Sequence, residues 1–433
     1  VPQAQILADY RCPGESYTIS RAVHLGRLAG FYPPCRECPH RVDTGTLSAR
    51  TVRRLGEVQA RGQPRPLFSP EGVAGVCPND FGPPRARRVA VALGAYLNRQ
   101  GRAASAEAPV APVALVAGDG RPLTAEIVAA VAEGLRWTGC HVVDLGAASA
   151  PCIAVALDHL QAAGGLLVGN PLDQPHTAGL KFWAPGPRPL SAGGGLDELQ
   201  AIDRQGVDRP TRAFGSTRRF QADGPYLADL AQSYHALRPL RLVLDTSCPP
   251  VMGYLRRLTE AVACEIIPGH VAHQAPASEG PTAAPEGKPW EQITGQAAHF
   301  GARVGDDGEI CRLWDEQGRG VPAERLFVLL ARQQLHDHPA ATIVLECDTP
   351  PRVARTISAA GGQVITAGPG RAAMARAIRD SGAVLGGGAS GRFWFAVGPP
   401  APDALRVLTQ TLVLLSRSDR RLSEVLDAEA ALE

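Results

Sequence analysis

The stretch VALVAGDGRPLTAEIVAAVAEGLRWTGCHVVDLG, Val113 to Gly146, decides the fold class. Val113 to Ala117 is a short, unbroken apolar run of the kind that forms a buried strand. Thr124 to Thr138 follows with helical spacing and places Glu126 and Glu133 on its outward face. His141 to Leu145 then reads as a second strand. Strand, helix and strand within about 30 residues make a βαβ unit, which implies a parallel pair.

The same alternation continues in both directions from this stretch. Ile153 to Ala162 reads as a helix and Gly165 to Val168 as a strand. The pattern restarts after Pro239, with a strand at Leu240 to Asp245, a helix at Val251 to Ala263 and a strand at Glu265 to Ile267. A third round runs through Thr342 to Leu345, Val353 to Ala360, Val364 and Ile365, Ala372 to Asp380, and Ala383 to Leu385. Helical stretches at Asp403 to Ser416 and Leu422 to Ala431 close the chain. The fold class predicted is α/β: three consecutive α/β/α domains with parallel-rich sheets behind a cysteine-bearing extension. The expected boundaries are 1–62, 63–205, 206–320 and 321–433, with a Pro-containing joint at Gly62 to Pro66.

The 44 basic and 42 acidic residues leave a net charge of +2, a balance that argues against a dedicated nucleic-acid binder. Gly, Pro or charge breaks every apolar stretch before the roughly 20 residues of a membrane span. Val1 to Tyr10 shows no basic region followed by an apolar core, so a cytoplasmic location is expected. Cys140, Cys152, Cys248, Cys264, Cys311 and Cys347 are scattered singly and read as small buried hydrophobes.

Cysteines near the start are grouped differently. YRCPGESYTISRAVHLGRLAGFYPPCRECPHR, Tyr10 to Arg41, carries Cys12, the pair Cys35 and Cys38 in C-x-x-C spacing, and His40. Such a turn brings two thiolates onto one metal. The segment is rich in Arg, Pro and Gly and buries little, while ordering it costs roughly 1–2 kcal/mol per residue. A structural zinc ion supplies on the order of 10 kcal/mol. Zinc on Cys12, Cys35, Cys38 and either Cys77 or His40 is therefore expected, with His24 a weaker candidate. An iron–sulfur cluster and unliganded thiols stay open, since Pro follows Cys12, Cys38 and Cys77.

Five loops, in order, resemble those of the α-D-phosphohexomutases, the phosphoglucomutase/phosphomannomutase family. LFSPEGVAGV (Leu67 to Val76) resembles the opening F-G-T-x-G-x-R-G, and the stretch from Val116 the G-x-D-x-R-x-S strand and helix. APCIAVALDHLQAAGGLLVGNPLDQPHTAGLKFW (Ala150 to Trp183) resembles the segment ending in the active-site loop T-A-S-H-N-P-x-x-x-N-G-x-K. DDGEICRLWDEQG (Asp306 to Gly318) and GGGASGRFWF (Gly386 to Phe395) fall where the metal loop D-G-D-x-D-R and the sugar loop G-G-E-x-S-G-H belong.

The resemblance implies a phosphoserine that exchanges phosphoryl groups with a hexose phosphate, assisted by magnesium. Counted back from Gly179 and Lys181, the nucleophile's place holds Pro171, and the loop's His and Asn are Leu172 and Asp173. Thr177 is the nearest hydroxyl. The metal carboxylates fall on Asp307, Glu309 and Cys311, which leaves a weak residual magnesium site at best and makes that ion doubtful. The sugar-loop Glu is Gly388, its His is Arg392, and the opening Arg is Ala74. Asp119, Arg121, Gly179, Lys181, Arg312, Ser390 and Gly391 match the pattern. Asp119 and Arg121 are expected to pair at the strand-to-helix corner. Lys181 is read either as a residual anion contact or as a solvated loop cation; with Ser390, Arg392 and Arg371 it makes up the expected substrate contacts. The family's fourth domain is expected to be absent. The expectation is a pseudoenzyme that binds a sugar phosphate or a protein partner as a regulatory or scaffold subunit. The alternatives are a divergent active mutase and a protein that docks partners through its zinc module.

Overall fold

A computed structural model describes residues 10–13, 15–30, 32–36, 38–53, 55, 66–104, 110–173, 176–208, 213–269 and 289–430. The chain forms two compact units, Val1–Pro66 and Leu67–Glu433. In the first, Tyr10 and Ile19 form an antiparallel bridge, and α1 (Arg21–Ala29) starts at Ser20, whose hydroxyl accepts from Val23 N–H. The Tyr10 ring stacks on His24 with centroids 4.3 Å apart. Cys12 packs with Tyr10 and Ile19, and Cys35 with Leu28 and Leu55.

The larger unit is built on three sheets. Strands β1 (Phe68–Ser69), β2 (Gly72–Val76), β3 (Val113–Gly118), β4 (His141–Ala147), β5 (Gly164–Gly169), β6 (Thr177–Ala184), β7 (Arg188–Leu190) and β8 (Thr217–Arg219) make the first. Their order is β1-β2-β6-β5-β3-β4-β8, with β7 on β6. At its centre β3 is parallel to both β4 and β5, as the βαβ pattern requires. Helices α2 (Pro83–Ala104), α3 (Ala125–Trp137), α4 (Ala150–His159), α5 (Leu196–Gln205) and α6 (Asp223–Ala231) accompany it. Ile127, Val131 and Leu135 recur every four residues and face the core, while Glu126 and Glu133 face out. β8 lies beyond residue 205 yet pairs with β4. It is short and exposed, so no apolar periodicity announces it.

The second sheet has the order β10-β9-β11-β12-β13 and the third β15-β14-β16-β17-β18. The second contains β9 (Arg241–Thr246), β10 (Glu265–Pro268), β11 (Phe300–Gly305), β12 (Ile310–Asp315) and β13 (Gly320–Val321), with α7 (Pro249–Thr259) and α8 (Pro289–Gly295). After α9 (Ala323–Asp337), β14 (Thr342–Glu346), α10 (Pro351–Ala359), β15 (Gln363–Ala367), α11 (Arg371–Ser381), β16 (Leu385–Gly387), β17 (Trp394–Phe395) and β18 (Ala401–Pro402) form the third. α12 (Ala404–Ser416) and α13 (Leu422–Ala430) follow. In both sheets the parallel strands lie together and antiparallel strands extend one edge. One apolar core runs from Leu115 and Val143 through Leu242, Phe300 and Leu313 to Ile343, Leu385, Leu412 and Leu426. That continuity holds the three loops considered next against one another. Among the described residues, no helix is long and apolar enough to cross a membrane.

Candidate functional site

The loop after β5 is held at both ends by one side chain. Arg121 donates to the carbonyls of Gly169 at 3.2 Å and Thr177 at 2.9 Å, and its Nε donates to Asp119 Oδ2 at 2.5 Å. The expected Asp119–Arg121 pair therefore exists and clamps this loop as well as the strand-to-helix corner. Pro171 sits against Gly179: a Cβ at Gly179 would lie 2.7 Å from its Cγ and 2.2 Å from Val73 O. Thr177 is 2% exposed and donates to Asn170 Oδ1 at 2.5 Å. No hydroxyl is presented where Pro171 stands.

The hairpin β11–β12 brings its tip to this loop. Asp306, Asp307 and Gly308 all have positive φ, so the turn curls back and directs its carboxylates inward. Asn170 N–H donates to Asp307 Oδ1 at 2.7 Å. Lys181, on β6, is fully buried among these acids. Its Nζ is 2.6 Å from Asp306 Oδ1, 3.0 Å from Glu309 Oε2 and 3.6 Å from Asp307 Oδ2. It also donates to Asp306 O at 2.8 Å. With no exposure Lys181 is not a solvated loop cation, and its charged partners are carboxylates. The loop is likewise not the surface turn its Asp-Gly-Glu composition suggests, since Asp306, Asp307 and Glu309 are buried.

Two arginines complete the cluster. Arg371, at the start of α11, donates to Glu309 Oε1 at 2.9 Å, Glu71 Oε2 at 2.7 Å and Glu71 O at 3.0 Å. Arg392 reaches Asp306 Oδ2 and lies 3.5 Å from Glu309 Oε2. Burial opposes ionisation of Asp306, but Lys181 and Arg392 outweigh it and hold its pKa below the usual range. Asp307 goes the other way, raised to about 6 by burial, with the charge of Asp306 adding to the shift. Burial also disfavours the Lys181 ammonium, yet its carboxylate neighbours prevail and raise its pKa.

Glu71, Glu346, Asp348, Arg371, Ser390 and Arg392 lie on a cavity of about 350 Å³. Glu346, at the end of β14, accepts from Ser390 N–H at 3.0 Å and from Ser390 Oγ at 2.5 Å. A Cβ at Gly388 would lie 2.8 Å from Glu346 Oε2 and 2.0 Å from Thr349 Oγ1. Side chains from β14 and the following turn thus fill the space a longer residue at 388 would need. Burial raises the Glu346 pKa against the hydrogen bonds from Ser390.

Family models for the phosphoglucomutase/phosphomannomutase α/β/α domains I and III match residues 65–193 and 322–432. The chain belongs to the phosphoglucomutase/phosphomannomutase family. It is 24% identical over 373 residues to a phosphoglucomutase/phosphomannomutase of Thermococcus kodakarensis, covering 83% of this chain and 79% of that one. With a phosphoglucosamine mutase of Frankia alni it shares 26% over 380 residues, 84% and 82% of the two chains. The fold matches a phosphoglucomutase/phosphomannomutase family protein from Burkholderia thailandensis, with a TM-score of 0.71 and 22% identity over 84% of this chain and 79% of the other. A putative phosphomannomutase from Thermus thermophilus gives a TM-score of 0.69 at 18% identity, over 84% and 83%.

In this phosphohexomutase-family chain the magnesium that the resemblance implies can be tested against the donors present. Both oxygens of Glu309 and both of Asp306 already face cations, and one oxygen of Asp307 accepts from a backbone N–H. Cys311 packs in the apolar core, where burial pushes its thiol up. Arg312 stands opposite Arg303 across the hairpin. Asp306 Oδ1 and Asp307 Oδ2 are the tip carboxylate oxygens without a hydrogen bond, and both lie within ion-pair distance of Lys181 Nζ. Asp307 and Glu309 as arranged do not fit a hard cation, which needs about six oxygen ligands.

In the N-terminal unit Cys12, Cys35 and Cys38 are buried, and Arg27 Nη1 donates to Cys12 Sγ at 3.0 Å. Burial, then the nearby Cys12 and Cys38 thiols, raise the Cys35 pKa. Among the described residues, no group of three or more His, Cys, Asp or Glu side chains is placed to hold a metal ion. His40 stands edge-on to Tyr10, and Cys77 N–H, in the larger unit, donates to His176 O. Asp306, Glu71 and Glu346 escaped the sequence reading. Glu346 carried a signal, standing at the carboxyl end of a predicted strand, where open α/β sheets place their sites.

Proposed function

We propose that this chain binds a sugar phosphate or a related polyhydroxylated ligand without transferring its phosphoryl group, and acts as a binding or regulatory subunit. Pro171 carries the reading. Phosphoryl transfer through a covalent intermediate needs an in-line hydroxyl, and a misplacement of 1 Å already costs catalysis heavily. Thr177 is sealed and committed to Asn170. The cavity beside Ser390, Glu346 and Arg392 supports retained binding, since it sets a carboxylate, a hydroxyl and a guanidinium along one wall. On this reading the three sheets and their helices act as three domains around one cleft.

A coupled mutase assay on glucose 1-phosphate and mannose 1-phosphate, with glucose 1,6-bisphosphate and magnesium, tests the first half. No turnover is expected, and sustained turnover contradicts the reading. Thermal shift with the same sugar phosphates tests the second half. A saturable rise in Tm that Ser390→Ala abolishes is expected, and no response to any of them counts against binding.

A further inference from the structure

We infer that Lys181 is this chain's resident cation in the metal loop, so that the centre closes on its own ammonium and takes no divalent ion. An ammonium has three N–H donors. Here it donates to Asp306 O at 2.8 Å and Glu309 Oε2 at 3.0 Å, and Asp306 Oδ1 and Asp307 Oδ2 lie 2.6 Å and 3.6 Å away as ion-pair partners. Three carboxylates surround the ammonium, and the group has no exposure through which to leave.

The surroundings are built for this cation. The left-handed turn at Asp306 and Asp307 points a carbonyl and the carboxylates at one spot, and β6 delivers Lys181 to it. Arg371 and Arg392 take the outer oxygens of Glu309 and Asp306. The carboxylates of Glu71, Asp306, Asp307 and Glu309 thus face the cations Lys181, Arg371 and Arg392, a residual of one negative charge when all are ionised. A divalent ion would have to displace Lys181 and leave a buried, unpaired ammonium, a strongly disfavoured state. The inference stands apart from the reading of Pro171, since a protein without a nucleophile can still bind magnesium.

The test uses the full chain stripped of metal. Wild type is titrated with magnesium and manganese by calorimetry, and its Tm is compared in chelator and in millimolar manganese. No saturable heat and no shift are expected. Lys181→Met removes the charge at similar length and uncovers the carboxylates. In chelator its Tm should fall below wild type, and manganese should restore part of the loss while giving saturable binding. Saturable binding to wild type that Glu309→Gln weakens overturns the inference, as does a folded Lys181→Met protein that gains no cation site. Should Lys181→Met fail to fold, wild type decides alone: binding overturns and its absence supports. Turnover in chelator would sink the binding-only reading and leave the role of Lys181 standing, so the two fail separately.

Discussion

Arg371 reaches Glu71 in the first sheet's opening turn and Glu309 at the hairpin tip, while its guanidinium lies 5.5 Å from the Trp183 ring centre. It is 1% exposed. Removing one partner of a buried ion pair leaves the other charge uncompensated, at a cost of roughly 3–5 kcal/mol. Arg371→Ala is therefore expected to lower unfolding free energy by about that amount in urea titration, while Arg379→Ala on the exposed face of the same helix changes it little. Pro171→Ser is expected to give no mutase activity in the coupled assay. A new hydroxyl would still stand beside a cluster closed by Lys181, Arg371 and Arg392, with Gly388 in the place of the sugar-loop Glu. Gly388 was visible in the sequence as a loss. What it makes room for was not, because Glu346 lies 42 residues upstream and meets it only through the pairing of β14 with β16.

At the scale of elements, strands buried on both faces and helices with fourfold apolar spacing were readable, and their edges were less so. The sequence reading began helices at Ile153, Val251 and Val353, whereas they begin at Ala150, Pro249 and Pro351. Proline is tolerated in a helix's first turn, where its missing N–H has no partner to lose, so each helix starts before its apolar periodicity does. Helix α2 was passed over because its two opening prolines and many arginines masked a core face of Val89, Leu93 and Tyr96. The turn of positive φ at Asp306 and Asp307 left no mark in composition beyond Asp itself. Gly179 offers a test of the β2–β6 contact. A methyl there meets Val73 O, and Gly179→Ala should cost about 1–3 kcal/mol through overpacking. At the start of α12, Asp403 accepts from Arg406 N–H and Tyr226 Oη, and burial raises its pKa. A carboxyl whose folded pKa is raised contributes its stability below the unfolded value and loses it as pH rises through the folded one. Asp403→Asn keeps the cap without the charge, so its stability relative to wild type should improve between pH 4 and pH 8 in paired melts.

For the whole molecule, the three loops that meet at the centre come from three sheets, tied by a cluster of buried charges rather than by apolar contact alone. Each of the three loops follows a strand at its carboxyl end, where open α/β sheets place their sites. Sequence alone could not show that a lysine from the first sheet would occupy the carboxylates of the second, because that depends on register between β5, β6 and the hairpin tip. In the N-terminal unit cysteine spacing pointed to zinc; there Cys12 packs with Tyr10 and Ile19 and accepts from Arg27, and Cys35 packs with Leu28 and Leu55. The central claim is that the family's covalent step has no acceptor here. Intact-mass spectrometry after incubation with glucose 1,6-bisphosphate and magnesium tests it most directly. An unchanged mass is expected, and a stoichiometric gain of one phosphoryl group, mapped to Thr177 or a neighbouring residue, would contradict it.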